Sequence, residues 1–432
     1  MGRHLRRPPR PCRDRGQGEQ PVPWHPDRPG GLVKAPAVFL LLLLLGAAPA
    51  HALTLTRDTR WSGELRFAEQ VTVPAGVALE VAAGSRISFT AGGLEVAGRL
   101  VAEQARFSGK QWDGVTLKGC DAATRLRAVE ISGARTGLLV QGGAPVLDQL
   151  AVRDNEVGIE LRGKSAATVR DGVFTGNRKV GLFVKDDSAA SVTGCRFENN
   201  GKYGAYIYRA RPAAFSGNRF SANPVGLMIA YFGSDPKIEG NRFENNETAI
   251  EVDRAAQPEL RRNLVRNNRT GLFLQRRADP LVTGNRFADN QVAIRLAFSS
   301  YPRITGNDFT GNPLALRLEF QSSTWEREQG AAARAGEVAA VGAFGSGQGA
   351  KTVTEAERRP ANLDGTVDAH GNWWGDAGSL ELARGGEQGN PGFIFDGRDQ
   401  PTFREKGKDY PLDTVVFAPW SGAAHTAREE WP

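Results

Sequence analysis

The chain is poor in the residues that hold metals and redox centres, with 5 His, 3 Cys and 2 Met among 432 residues. Past residue 52 only His370, His425, Cys120, Cys195 and Met228 remain, scattered along the sequence. They assemble no ligand set for zinc or copper, and no metal and no cofactor is expected. There is no G-x-S-x-G and no H-E-x-x-H, which removes two common routes to catalysis. A 3.6-residue period is missing from the central sequence as well, where Gly or Asn interrupts every few residues, so a helical solenoid is disfavoured. Glycine, by contrast, is abundant at 52 residues, and the hydrophobic fraction of 40% is too high for a disordered chain. A folded, turn-rich protein is expected.

The net charge of +7 invites a nucleic-acid reading until its position is examined. Residues 1–52 carry eight basic and three acidic residues, leaving 47 basic against 45 acidic in the remainder. Nucleic acid is therefore not an expected partner. The same segment holds Lys34, the apolar run Phe39 to Leu45, and a small-residue stretch ending in Ala50, His51 and Ala52. That run is too short to span a bilayer and reads as a secretory signal cleaved after Ala52, so export without a remaining membrane span is expected. Signal peptides begin close to their apolar core, which makes Val33 the expected true start and residues 1–32 an upstream extension.

From about residue 124 the sequence repeats every 22 or 23 residues. Typical units are TVRDGVFTGNRKVGLFVKDDSAA from Thr168, SVTGCRFENNGKYGAYIYRARPA from Ser191 and KIEGNRFENNETAIEVDRAAQP from Lys237. One apolar column runs through Val169, Val192, Phe215, Ile238, Leu260, Val282 and Ile304; five residues on, a second runs through Phe174, Phe197, Phe220, Phe243, Val265, Phe287 and Phe309. Both should point inward. A third apolar pair flanks one outward residue, as Leu182 and Val184 flank Phe183, which is strand alternation. Asparagine fills two turn columns, one from Asn155 to Asn312 and one from Asn218 to Asn307. Asn tolerates left-handed backbone, and amides stacked on successive coils can bond into ladders. Each unit is therefore a coil of short strands, and stacking the coils gives an all-β, right-handed, single-stranded parallel β-helix with Asn ladders.

The recurring G-N-x-F-x-x-N-x-x-G-I-x-L pattern, from about residue 100 to residue 320, resembles right-handed parallel β-helix repeat proteins of the wider pectate-lyase-like superfamily. It is also similar to the periplasmic β-helix proteins that assist nitrous-oxide reductase maturation. Such open-ended solenoids need caps. Residues 53–123 are read as an N-terminal cap and first coils, 124–320 as the repeats, 321–366 as a flexible insertion, and 367–432 as the last coil and C-terminal cap. In that last coil Asn372 and Trp374 stand where the repeat has Asn and Phe.

The strand after the second Asn column should project Glu160, Phe183, Tyr206, Met228, Glu251, Phe273, Arg295 and Arg317 outward on one line. A second line holds Lys185, Tyr208, Ala230, Asp253, Gln275, Ala297 and Glu319, with Arg209, Tyr231, Phe232 and Arg254 just beyond. Aromatics among mixed charges suit an extended polysaccharide or anionic glycan, rings against pyranose faces and charges on hydroxyls or carboxylates. The expected binding residues are Phe183, Lys185, Tyr206, Tyr208, Arg209, Tyr231, Phe232 and Phe273.

Resemblance to polygalacturonases implies a catalytic pair on the matching strand, nearest here to Glu251 and Asp253, about 6.5 to 7 Å apart along the strand. The pattern departs at Glu247 and Ala249, and no Gly-His-Gly segment accompanies it. A binding module is therefore the leading expectation, a glycoside hydrolase or uronate lyase the second, and a structural or maturation partner the third. A further basic strip, Arg196, Arg219, Arg242 and Arg286, lies beside the Asn turns.

Overall fold

The computed structural model describes residues 52–342 and 363–425, with side chains described up to residue 333 of the first stretch. The signal segment and most of the insertion lie outside the described residues. Three parallel sheets wind around one core: a 14-stranded sheet from Leu53–Thr54 to Ile394–Phe395, and two 12-stranded sheets from Thr59–Trp61 to Arg303–Thr305 and from Glu64–Phe67 to Asp308–Thr310. Each coil gives one strand to each sheet. The coil at residues 180–198, for example, runs through Val180–Lys185, Ser191–Thr193 and Arg196–Glu198.

Side-chain alternation sets what fills the interior. The aliphatic column from Val169 to Ile304 is at most 1% exposed, and the aromatic column from Phe174 to Phe309 at most 2%. Phe174, Phe197, Phe220 and Phe243 stack nearly parallel with ring centroids 4.7 Å apart, so each coil buries its ring against the next. Both Asn columns form continuous ladders in which each side-chain amide donates to the next coil's amide oxygen at 3.0–3.2 Å. Cys195, fully buried, begins the second ladder through its backbone N–H, which donates to Asn218 at 2.9 Å.

One detail of the turn reading is corrected. Left-handed backbone falls on the residue before each ladder Asn, as at Asn199, Ala222, Asn245, Asn267 and Arg262, and not on the ladder Asn itself. The ladder residue keeps ordinary backbone because its role is carried by the amide.

The segment read as a flexible insertion begins with a helix, α1 (Ser323–Gly342). Its Ala, Glu and Arg content favours helix without an apolar stripe. Its first N–H groups are met from far away, since Asp413 accepts from the Ser323 backbone N–H at 2.9 Å and from its hydroxyl at 3.0 Å. The chain then rejoins the solenoid: Asn307 donates to Asn372 at 3.0 Å, and Trp374 stacks on Phe309 at 4.8 Å. A second helix, α2 (Gly375–Gly385), follows this closing coil and buries Leu382. Trp374 is thus a core residue, 5% exposed, and offers no platform for a ligand.

Candidate functional site

The outward lines expected from the repeat are present in register. Glu160, Phe183, Tyr206, Met228, Glu251, Phe273, Arg295 and Arg317 are successive partners across the 14-stranded sheet, and so are Lys185, Tyr208, Ala230, Asp253, Gln275, Ala297 and Glu319. Register does not guarantee exposure. Met228, Ala230, Asp253 and Ala297 are buried.

An aromatic cluster occupies three consecutive coils. Phe183 stacks on Tyr206 at 4.9 Å, Tyr206 meets Tyr208 edge-on at 6.0 Å, and Tyr208 meets Tyr231 at 4.7 Å. These rings are half-buried, where the sequence reading had them exposed. The cause is the coil spacing itself: rings about 4.8 Å apart cover one another. Because Phe183 and Tyr206 stack along the solenoid, a polymer lying on them would meet their edges, whereas Tyr208 is turned 77° from Tyr206. Burial pushes the Tyr206 hydroxyl above its ordinary range, and does the same to Tyr208.

Cations sit on these rings. Arg209 lies over Tyr208 and Tyr231, at 5.4 and 5.2 Å; Arg254 lies over Tyr231 at 4.9 Å and donates to its hydroxyl at 2.8 Å. Tyr231 thereby meets two guanidiniums. Lys185 covers Phe183 and pairs with Glu160 at 3.2 Å. Sequence reasoning missed Tyr203, whose ring is 5.2 Å from Tyr206 and under Lys202. The signal was available, since its column otherwise holds Val or Thr at Val180, Val225 and Thr248.

The structure brings Phe183, Lys185, Tyr206, Tyr208, Arg209 and Tyr231 together, with Phe232 half-buried beside them. Phe273 stands apart, beyond the Met228 and Glu251 rungs, with Arg295 over its ring at 4.4 Å. Glu251 and Asp253 differ sharply from each other. Glu251 is half-buried and accepts from Gln275 at 2.7 Å, and burial together with Asp253 raises its carboxyl above the usual range. Asp253 is 1% exposed, with both oxygens on the Arg276 guanidinium. A ligand on this face would meet Glu251 and not Asp253. Among the described residues, no group of three metal-ligating side chains occurs, and no helix is long and apolar enough to cross a membrane.

The family model for the right handed beta helix region matches residues 95–243 and 181–328, together more than half of the chain. The chain belongs to the right-handed β-helix family. That match concerns the fold and carries nothing on the likeness to nitrous-oxide reductase maturation proteins. No curated protein matches the sequence of this β-helix protein. Among solved structures it is similar to the A-module of the Azotobacter vinelandii mannuronan C-5 epimerase AlgE4, at 14% identity and TM-score 0.37, covering 61% of this chain and 89% of that one. It is also similar to the tailspike protein of E. coli bacteriophage HK620 in complex with pentasaccharide, at 12% identity and TM-score 0.32, covering 64% of this chain and 61% of that one. This β-helix protein therefore spans about three fifths of the tailspike's length, and the likeness is one of fold.

Proposed function

We propose that this β-helix protein is exported and binds an envelope or extracellular polysaccharide along the outer face of the 14-stranded sheet, without turning it over. One observation carries the reading: Arg209 and Arg254 both lie over the Tyr231 ring, beside Tyr208, Tyr206 and Phe183 on successive coils. The rings orient these cations without cancelling their charge, so the face presents apolar edges, hydroxyls and positive charge together. That combination suits a sugar polymer carrying carboxylates. The engagement of Asp253 by Arg276 argues against Glu251 and Asp253 working as a pair of carboxylates on their shared strand.

Electrophoresis through gels containing alginate, polygalacturonate or dextran tests it, with reducing ends and unsaturated uronates monitored in parallel. Retardation by an anionic polymer with no released product is expected. Migration unchanged in every gel would overturn the binding reading, and released product would replace it with a hydrolase or lyase. Recovery of the chain only in the cytoplasmic fraction after osmotic shock would overturn export.

A further inference from the structure

The outer face of the third sheet carries a second, separate charge pattern. Arg196, Arg219 and Arg242 are direct partners on adjacent strands, three like charges in one column. Like charges directly opposite destabilise a sheet. The first coils of the same sheet avoid such a run, with Glu64 and Glu130 at either end of the Arg86 and Arg106 rungs. In the middle coils relief comes from the next column. Glu244, 3% exposed, accepts Arg219 at 2.9 Å and Arg242 at 2.7 Å, and also takes Arg266. Its carboxyl is held below the usual range by the Arg242 and Arg266 guanidiniums, despite the opposing effect of burial. Arg196 reaches Glu198 only at 4.0 Å.

Four guanidiniums thus share two carboxylates across four consecutive coils. Arg196 and Arg219 keep 57% and 52% of their side chains exposed. A guanidinium has five N–H donors, so exposed Arg196 and Arg219 can donate to a ligand beyond the one ion pair each makes here. Successive charges stand about 4.8 Å apart along the solenoid axis, close to the advance of one extended pyranose per coil.

We infer that the Arg196–Arg219–Arg242 column is a second binding surface, which takes a linear anionic polysaccharide running parallel to the solenoid axis. It is distinct from the aromatic face, because it lies on a different sheet and uses guanidiniums where the other uses rings. A polyanion there relieves the like-charge column, and its binding weakens with salt because releasing counterions into a more concentrated solution gains less.

Fluorescence anisotropy of a labelled heparin oligosaccharide with the full chain tests the assignment. Arg196→Ala with Arg219→Ala should weaken binding about tenfold at low salt and flatten its salt dependence. Both side chains are exposed and Arg242 and Arg266 still satisfy Glu244, so the melting temperature should hold. Ser221→Asp, which sits between the Glu198 and Glu244 rungs and removes no arginine, should weaken heparin binding in the same direction. Tyr206→Ala with Tyr208→Ala should leave heparin binding within about twofold. Unchanged heparin binding in the arginine variant, or an equal loss in the tyrosine variant, would overturn a separate surface. Single-stranded DNA binding as tightly as heparin would overturn the glycan class. Loss of the aromatic face's ligand with heparin binding intact would tell against the other face alone.

Discussion

The side-chain amide of Asn307 donates to the side-chain oxygen of Asn372, 65 residues later in sequence, at 3.0 Å. The ladder therefore runs on to the closing coil as though the insertion were absent. Asn372 accepts from the Asn307 backbone N–H as well, and donates to Ile304 and Ala369 carbonyls.

Asn372→Ala should consequently lower stability by about 1 to 3 kcal/mol, because the buried Asn307 amide loses its acceptor and two carbonyls lose a donor. Thermal melting of the full chain checks this; an unchanged melting temperature would mean that the closing coil is held without its amide.

The two aromatic columns should separate in their effects. Phe220→Ala opens a void between Phe197 and Phe243 and should cost about 3 to 5 kcal/mol. Tyr206→Ala with Tyr208→Ala loses half-buried ring contacts and should cost less, about 1 to 3 kcal/mol, while abolishing retardation in the polysaccharide gel. Urea unfolding and affinity electrophoresis on both variants measure the two readouts, and a greater stability loss in the tyrosine pair would invert the assignment of faces.

Ala222 is exposed and left-handed, at φ +55°, in the turn column that glycine fills elsewhere, as at Gly176 and Gly311. Ala222→Gly removes a steric cost of about 1 to 2 kcal/mol, partly offset by glycine's greater freedom in the unfolded chain. A small rise in melting temperature is the expected outcome.

Glu251 gives a pH signature. Its folded carboxyl is raised, so the native state binds the proton more readily than the unfolded chain does. Stability is then present below the unfolded value near about 4.3 and is lost as pH rises through the folded value. Glu251→Gln keeps an acceptor for Gln275 and removes the buried charge. It should raise the melting temperature at neutral pH and leave it unchanged in acid, and a stabilisation of equal size at both pH values would rule out the charge as its source.

The columns were legible before the structure because a 22-residue period fixes register, and register fixes which residues share a line. Val169 and Phe174 declare themselves inward, and Asn372 with Trp374 announce the returning coil. Exposure was not legible in the same way. Asp253 is outward by alternation yet buried, since its cover is Arg276, whose reach across to the previous coil no pattern of hydrophobicity encodes. Helix α1 has a local cap in Ser322, whose hydroxyl accepts from the Trp325 N–H at 3.3 Å, but the Asp413 carboxylate that also anchors its first residue comes from 90 residues downstream, which no local pattern encodes.

The ladders also give the solenoid a direction. Every rung, from Asn155 to Asn177 and from Asn218 to Asn241 onward, donates toward the later coil and accepts from the earlier one. Backbone bonds in a sheet largely cancel as dipoles, but these aligned side-chain amides add and polarise one another. The ladders therefore contribute an oriented dipole to the β-helix, negative toward its first coils and positive toward the coil that Asn372 closes. A charged polymer laid along the axis would not find the two directions of travel equivalent.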